Sequence, residues 1–265
     1  MPTISAILST YNRYESLMQA IQSVKEQTYQ PLEIIVVNDH SEDDRYYKNR
    51  PADVSWIDLE KNTREIMGYP ALGHVRNVGI EASHGEYLAF LDDDDMWLPD
   101  KTTIQLTEMI SKGFNMSCTE GYMGDSLFDP STTYPVYHRE FYADFCEKFF
   151  TNYAGGWSGT LPDTFNARLI EQHNFIIHSS VMIKKDLLYK AGLYKNIPLH
   201  GTKIHEKLVT EDSDLWQRCL CYGDCLHVNR PLVYYDGRLS QQSLVQRTRR
   251  HLKHLLRICR ISHTR

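Results

Sequence analysis

The chain has 265 residues, 42% hydrophobic and 24% charged, a globular composition that suits one α/β domain or one domain with an elaborated second half. No apolar run approaches the roughly 20 residues that cross a bilayer, and the opening Met-Pro-Thr-Ile-Ser lacks the features of a signal peptide, so a cytoplasmic location is expected. The net charge is −5, but seven Lys or Arg and no acid fall in residues 247–265, which leaves about −12 on the rest and excludes nonspecific nucleic-acid binding by the body.

Residues 4–8 form a short apolar run, and residues 33–37 (Glu-Ile-Ile-Val-Val) a second, as in strands buried in a parallel sheet. Between them Leu17, Ala20, Ile21 and Val24 recur at helical spacing, with Asn12 expected as N-cap and Glu15 closing a capping box. Residues 4–37 thus read as one βαβ unit. A third strand is expected over 54–59, a helix over 72–82 and a strand over 86–91 after a break at Gly85. Pro99 opens a helix with Ile104, Leu106, Met109 and Ile110 as its apolar positions. Beyond Gly113 aromatic residues crowd 122–157, and Gly155-Gly156-Trp157-Ser158-Gly159 reads as a mobile loop. A strand over 175–183, a helix over about 211–220 and a strand over 233–235 complete the pattern. The chain divides into a first half (1–112), a second half (113–238) packing on it within one globular unit, and a basic helical tail (239–265). Cys118, Cys146 and Cys259 are isolated, and Cys219, Cys221 and Cys225 lack the paired spacing of a zinc site; thiols are expected.

The strongest local feature is the run Asp92-Asp93-Asp94-Asp95. Four adjacent carboxylates repel one another, and nothing in the stability of a sheet requires them. Directly after the apolar strand Tyr-Leu-Ala-Phe-Leu they fall at the carboxyl edge of the sheet, where open α/β folds bind ligands. Hard oxygen donors suit Mg²⁺ or Mn²⁺ bridging to nucleotide phosphates; a solvated acidic turn is the alternative.

Five segments in order carry a family resemblance. Ile7-Leu8-Ser9-Thr10-Tyr11-Asn12-Arg13 is similar to a P-T-Y-N-R start, with Ser9 in place of proline. Residues 35–43 (Ile-Val-Val-Asn-Asp-His-Ser-Glu-Asp) are similar to V-V-D-D-G-S-x-D, with Asn38 and His40 in place of Asp and Gly. Residues 73–79 (Gly-His-Val-Arg-Asn-Val-Gly) match A-R-N-x-G, the acidic run matches D-x-D-D, and Glu211-Asp212 matches an E-D pair. Together they resemble the family 2 glycosyltransferases of the GT-A fold. The resemblance implies an α/β fold with a Rossmann-like, mostly parallel central sheet flanked by helices, and a smaller mixed acceptor-side region. It implies an inverting glycosyltransferase of hexosyltransferase type that takes UDP- or dTDP-sugars with Mn²⁺ or Mg²⁺. Residues 1–112 would bind the nucleotide-sugar, and 113–238 the acceptor and the catalytic base.

The roles implied are specific. Asp39 would accept the N3–H of uracil or thymine, with an Asx turn as the alternative. Thr10, Tyr11 and Asn12 would flank the base, and Arg13 would reach base or phosphates. Arg76 would order or neutralise the acids, or form a surface ion pair. Asp92 and Asp93 would lie near ribose and sugar, and Asp94, with Asp92, would hold the metal. Asp95 and Glu211 would support the site or touch the donor sugar. Asp212, in the first turn of a helix capped by Thr210, would be the general base, or merely a capping acid. Ser179 and Ser180 would sit beside the donor sugar or pack in the core, Arg238 would lie over the pyrophosphate, and Trp157 would stack on an acceptor sugar or pack in the core.

The basic C-terminus could lie on an anionic membrane as an amphipathic helix, giving a peripheral location, or pack on the domain or another subunit. The partners expected are a nucleotide-sugar and a glycan, lipid-linked or protein acceptor, with no nucleic acid. A sugar-phosphate nucleotidyltransferase also sets carboxylates and metal beside a nucleotide, but residues 9–13 are not the basic, Gly-rich phosphate loop of that class. A non-catalytic nucleotide-sugar-binding module is disfavoured by the intact Asp94 and Asp212.

Overall fold

The computed structural model describes residues 2–30, 32–198, 201–204 and 207–237. In chain order these form β1 (Ile4–Thr10), α1 (Tyr14–Lys25), β2 (Leu32–Asn38), α2 (Arg45–Lys48), β3 (Ser55–Asp58), α3 (Thr63–Met67), α4 (Leu72–Ala82), β4 (Tyr87–Asp92), β5 (Met96–Trp97) and α5 (Lys101–Lys112). The second half adds β6 (Met116–Gly124), a π-helical turn at Tyr137–Phe141, α6 (Ala143–Ala154), β7 (Thr164–Phe165), α7 (Ala167–Gln172), a 3₁₀ turn at His178–Ser180, β8 (Met182–Lys184) and α8 (Lys185–Ala191). The hairpin β9 (Thr202–Ile204) and β10 (Lys207–Val209), then α9 (Glu211–Cys219), a 3₁₀ turn at Leu220–Tyr222 and β11 (Cys225–Asp236) follow.

One sheet runs through both halves in the order β3-β2-β1-β4-β8-β6-β11-β5, with β7 also paired to β11. The strands β3, β2, β1 and β4 are parallel. The three-residue β8 is antiparallel to both β4 and β6, and so joins the halves. All seven residues of β1 are buried, because both faces of the sheet are covered. Ile4, Ala6 and Leu8 pack with the apolar stripe Leu17, Ala20, Ile21 and Val24 of α1 and with Leu106 and Met109 of α5. Ile7 faces the other way, into a core with Ile80 of α4, Phe90 of β4 and side chains of α6, α7, α8 and α9. Continuous burial on both faces is why these strands read as unbroken apolar runs. The acidic run ends β4, and the parallel register puts its start level with Ser9 of β1.

Gly79 explains one motif position. A Cβ there would lie 2.6 Å from Ile7 Cγ2, so only glycine lets α4 approach β1 this closely. His40, standing where the family pattern has glycine, takes φ 57°, and its Nδ1 lies 3.1 Å from the Leu59 carbonyl. The left-handed turn is therefore kept without glycine, in a region where His is tolerated.

Several expectations need correction. Asn12 does not cap α1: it sits at φ 52°, its N–H donates to Ser41 Oγ and its Oδ1 accepts the Glu42 N–H, both at 2.9 Å. Its side chain thus staples the first strand-to-helix turn to the second, while Arg13 is the cap residue without a side-chain capping bond and Glu15 pairs with Arg45. The strand expected over 175–183 shrinks to β8. Its middle turns instead, with the Ser180 N–H on the Ile177 carbonyl at 3.0 Å. β11 is far longer than residues 233–235, running through register shifts on either side of Pro231. Thr210 does cap α9, in a capping box with Ser213. Among the described residues Cys118, Cys146, Cys219 and Cys225 are buried free thiols and Cys221 is exposed.

Candidate active site

The carboxyl ends of β1, β2 and β4 bring the first-half motifs together. The Thr10 hydroxyl donates to Asp93 Oδ2 at 2.7 Å, and the Tyr11 N–H reaches the same oxygen at 3.3 Å. Arg13 Nη1 donates to Asp93 Oδ1 at 2.9 Å and to Asp94 Oδ2 at 2.7 Å. Tyr46 locks this turn: its hydroxyl accepts the Arg13 N–H at 2.6 Å and lies 2.9 Å from Thr10 Oγ1. Burial works against the charge on Arg13, but Asp93 and Asp94 outweigh it and raise its pKa.

At the end of β2, Asp39 is only 6% exposed. Its Oδ1 accepts the Thr63 N–H at 2.8 Å and its Oδ2 accepts the Thr63 hydroxyl at 2.7 Å. Burial raises its pKa, and the two Thr63 bonds pull the other way. The carboxylate is therefore aimed by α3 rather than left as a loose turn residue. Beside it Asn38 is wholly buried, bonding Asp58 Oδ1 at 2.9 Å and accepting the Ser41 N–H. An amide suits that place because it supplies both a donor and an acceptor.

The four acids divide by environment. Asp95 is 1% exposed; its Oδ2 accepts the Ser179 hydroxyl at 2.5 Å and its Oδ1 the Asp236 N–H at 2.9 Å. Burial, with Asp94 and Asp92 nearby, pushes its pKa well up. Asp95 thus ties β4 to the second half. Asp93 is likewise buried, at 5%, and raised by burial against Arg13 and Thr10. The side chains of Asp92 and Asp94 are more open, at 28% and 18%. Burial and the neighbouring Asp93 push Asp94 up to about 7, with Arg13 opposing. Asp92 goes the other way: burial raises it, but His178 and Arg76 outweigh burial and hold it well below the usual carboxylate range.

Arg76 joins this edge to α9. It is 3% exposed, donating through Nη2 to Asp92 Oδ1 at 2.7 Å and through Nη1 to Glu211 Oε1 at 2.6 Å. It is a buried bridge between the halves, not a surface ion pair. Glu211 is raised by burial, with Arg76 opposing. Next to it Asp212 is half-buried. Its Oδ1 accepts the Thr210 hydroxyl and the Ser213 N–H, the latter at 2.7 Å, and its Oδ2 accepts from Asn174 Nδ2 at 3.3 Å. An acid in the first turn of α9 is also favoured by the helix N-terminus.

Two expected residues do not join the cluster. Ser180 is wholly buried, its hydroxyl donating to the Ile177 carbonyl and accepting the Thr119 N–H; Ser179 is the member of the pair that meets the acids. Trp157 stacks on Phe150 with ring centroids 5.0 Å apart, beyond the end of α6, where it packs on the core and lines an open depression with Gly155 and Gly156. Arg238 and the basic tail lie outside the described residues. Tyr46, Thr63, His178 and Asn174 were not anticipated as site residues. His178 Nδ1 lies 3.3 Å from Asp92 Oδ1, out of hydrogen-bond alignment, and its Nε2 lies 3.0 Å from the Tyr194 hydroxyl. Only His178 carried a signal, as the polar residue before the serine pair; the others act from unremarkable helices and loops.

Asp92 Oδ2 and Asp94 Oδ1 accept no hydrogen bond among the described residues. No three His, Cys, Asp or Glu side chains among those residues form a ready cage for a metal. Two open carboxylate oxygens nevertheless fit Mg²⁺ or Mn²⁺, which such sites hold with one or two carboxylates plus phosphate oxygens. No helix of the described residues is long and apolar enough to cross a membrane.

Known proteins resemble the chain in sequence and in fold. An uncharacterized glycosyltransferase of Rickettsia bellii is 34% identical over 120 residues, 44% of this chain and 16% of that protein. The UDP-Glc:alpha-D-GlcNAc-diphosphoundecaprenol beta-1,3-glucosyltransferase WfgD of Escherichia coli is 31% identical over 112 residues, 42% of this chain and 43% of WfgD. The chain thus spans less than half the length of either relative. The crystal structure of S. aureus TarS superposes with a TM-score of 0.60 at 16% identity, over 88% of this chain and 36% of TarS. Residues 1–349 of TarS in complex with UDP-GlcNAc give 0.58, over 88% of this chain and 58% of that one. At such identity the likeness speaks for the fold, which is the GT-A arrangement of a mostly parallel sheet flanked by helices. The glycosyl transferase family 2 model matches residues 5–188, well over half of the chain, which therefore belongs to glycosyl transferase family 2.

Proposed function

We propose that the chain is an inverting, metal-assisted glycosyltransferase that moves a hexosyl group from a UDP- or dTDP-sugar to a glycan, lipid-linked or protein acceptor. The observation that carries this reading is the Arg76 bridge, which fastens Asp92 at the end of β4 to Glu211, the neighbour of Asp212. A nucleotide edge and a candidate proton acceptor thereby become one site.

In this reading Asp39, aimed by Thr63, accepts the N3–H of the pyrimidine, and Thr10, Tyr11 and Asn12 border the base. Asp93 and Arg13 face ribose and phosphates. Asp95 holds the floor beneath them through Ser179 and the Asp236 N–H. Mn²⁺ or Mg²⁺ held by Asp92, Asp94 and the donor phosphates would stabilise charge on the leaving diphosphate. Asp212 Oδ2 takes the proton of the acceptor hydroxyl as its oxygen forms the new bond to the anomeric carbon. The bond from that carbon to the diphosphate breaks on the opposite side, and its electron pair leaves with the diphosphate. WfgD is named for a diphosphoundecaprenol-linked acceptor, which supports a lipid-linked acceptor here and a basic C-terminus lying on an anionic membrane.

The test is donor hydrolysis with Mn²⁺ and UDP-glucose, UDP-galactose, UDP-GlcNAc and a dTDP-sugar, followed by released nucleotide diphosphate. One donor should be consumed, and Asp94→Ala should abolish the signal. Asp212→Asn should slow release by about 10²–10⁴-fold while UDP still binds. Calorimetry showing no binding of UDP, dTDP or GDP with Mn²⁺ would sink the reading.

A further inference from the structure

Asp212 is held on two sides by different parts of the fold. Among the described residues its Oδ1 takes donors only from its own helix cap, Thr210 and Ser213. Among the described residues, the one hydrogen bond that reaches its carboxylate from another element comes from Asn174 Nδ2, at 3.3 Å to Oδ2. The amide orientation is fixed independently, because Asn174 Oδ1 accepts the Ile176 N–H at 3.1 Å; turning the amide over would set an N–H against that N–H. The segment itself is immobilised by Phe175, 2% exposed, whose ring centroid lies 5.0 Å from that of Phe149 and 4.7 Å from that of His173.

We infer that Asn174 is a positioning residue for the transfer step. It sets where Asp212 Oδ2 points while leaving that oxygen a second lone pair for the acceptor proton. The inference rests on the reading of Asp212 as proton acceptor. Since Oδ1 is saturated by the cap, Oδ2 is the oxygen that must receive the proton, and Asn174 governs its aim. Misaiming a reacting group by about 1 Å costs on the order of 10²-fold in rate.

The decisive variant is Asn174→Asp. It keeps an oxygen to accept the Ile176 N–H, and so preserves the turn, but puts an acceptor where Asp212 now receives a donor. With the fastest-hydrolysed donor of the panel and Mn²⁺, Asn174→Asp and Asn174→Ala should lower the saturating rate of UDP release about 10–100-fold. UDP affinity by calorimetry should stay at the wild-type value in both, and the melting temperature should stay there in Asn174→Asp, which keeps the acceptor of the Ile176 N–H. A merely structural turn predicts wild-type release for Asn174→Asp, and a rate within twofold of wild type overturns the inference. Asp212→Asn separates the two readings. If it hydrolyses normally, the proton-acceptor assignment fails; if it is inactive while Asn174→Asp is fully active, only the role of Asn174 fails. A crystal structure of Asn174→Asp gives a check independent of turnover: the Asp212 side chain should leave its present rotamer, and an unchanged one counts against the proposal.

Discussion

The two halves of this molecule build the site by different means. In residues 1–112 most of the site lies at or just beyond the end of a buried parallel strand: Thr10 and Tyr11 at the end of β1, Asp39 after β2, and the acids from the last residue of β4 onward. Sheet register brings these to one edge, and Arg76 joins them from α4. The second half has no such order. It delivers its groups from a 3₁₀ turn (Ser179), the first turn of α9 (Glu211 and Asp212) and the end of β11 (the Asp236 N–H), each fastened to the first half by a polar contact. Register holds the first-half groups, and a few buried polar bonds, added to the strand pairing through β8, hold the second-half groups to them. The halves should therefore fail differently.

The largest effect is expected where they meet. Arg76→Met would leave the buried Glu211 and the half-buried Asp92 without their shared cation, and breaking one partner of a buried pair costs about 3–5 kcal/mol. Urea denaturation should show that loss. Arg76→Lys should recover only part of it, because an ammonium lacks the planar fork that spans two carboxylates. A loss below 1 kcal/mol would mean that strand pairing through β8 and the Asp95 bonds join the halves without help from Arg76.

Gly79→Ala tests the register side. Its Cβ would press to 2.6 Å from Ile7 Cγ2 and 3.2 Å from Val37 Cγ2, and overpacking of this kind costs typically 1–3 kcal/mol. Because Ile7 lies on β1 three residues before Thr10, UDP binding should weaken along with stability.

The same contrast decides what could be read from the sequence. The βαβ pattern, the helix over 72–82 and the acidic run are legible because apolar periodicity marks strands that are buried on both faces. Thr63 and Tyr46 are invisible at that level: each acts on a residue more than twenty positions away, and neither breaks a local pattern. β6 is hidden for another reason. Its Ser117, Thr119 and Glu120 are buried polar residues satisfied within the fold, so its sequence does not alternate as an amphipathic strand would. Asn12 misled because Asn serves equally as a helix cap and as a left-handed turn residue, and only the neighbouring β2 turn decides between them.

At the far end of β11, the second half should show a pH response unconnected with the site. Burial lowers the pKa of His227 to about 4 from 6.5, with Glu120 and Asp163 opposing and His138 reinforcing. Its Nδ1 lies 3.1 Å from the Pro162 carbonyl, and its Nε2 is buried without a partner among the described residues. Between pH 6.5 and about 4 the unfolded chain binds a proton here that the folded chain does not. This residue's contribution is therefore complete above pH 6.5 and lost as the pH falls, by up to about 1.4 kcal/mol per pH unit. His227→Phe, which can keep the stacking on Phe165, should flatten that part of the stability profile and leave UDP affinity at pH 7 unchanged. A coupled change in affinity would show that the far end of the sheet communicates with the site.

The smallest change in affinity belongs to Thr63. Thr63→Val is close to isosteric; it keeps the N–H bond to Asp39 and removes the hydroxyl bond, together with the acceptor of the Ala71 N–H at 3.1 Å. Asp39 Oδ2 then loses the donor that aims it, and the burial that raises its pKa is less well opposed. A bond to an ionised group is worth about 1.5–3 kcal/mol, but the retained N–H holds half of the geometry, so a loss of about 1 kcal/mol, roughly fivefold in UDP affinity, is expected. Calorimetry should show the change for UDP, while urea denaturation shows a separate loss of about 1–3 kcal/mol from the unpaired Ala71 N–H. The rate of donor hydrolysis at saturation should stay the same, since Asp212 is untouched. Unchanged UDP affinity would mean that Asp39 does not meet the base, and that the nucleotide is held by the acids and Arg13 alone.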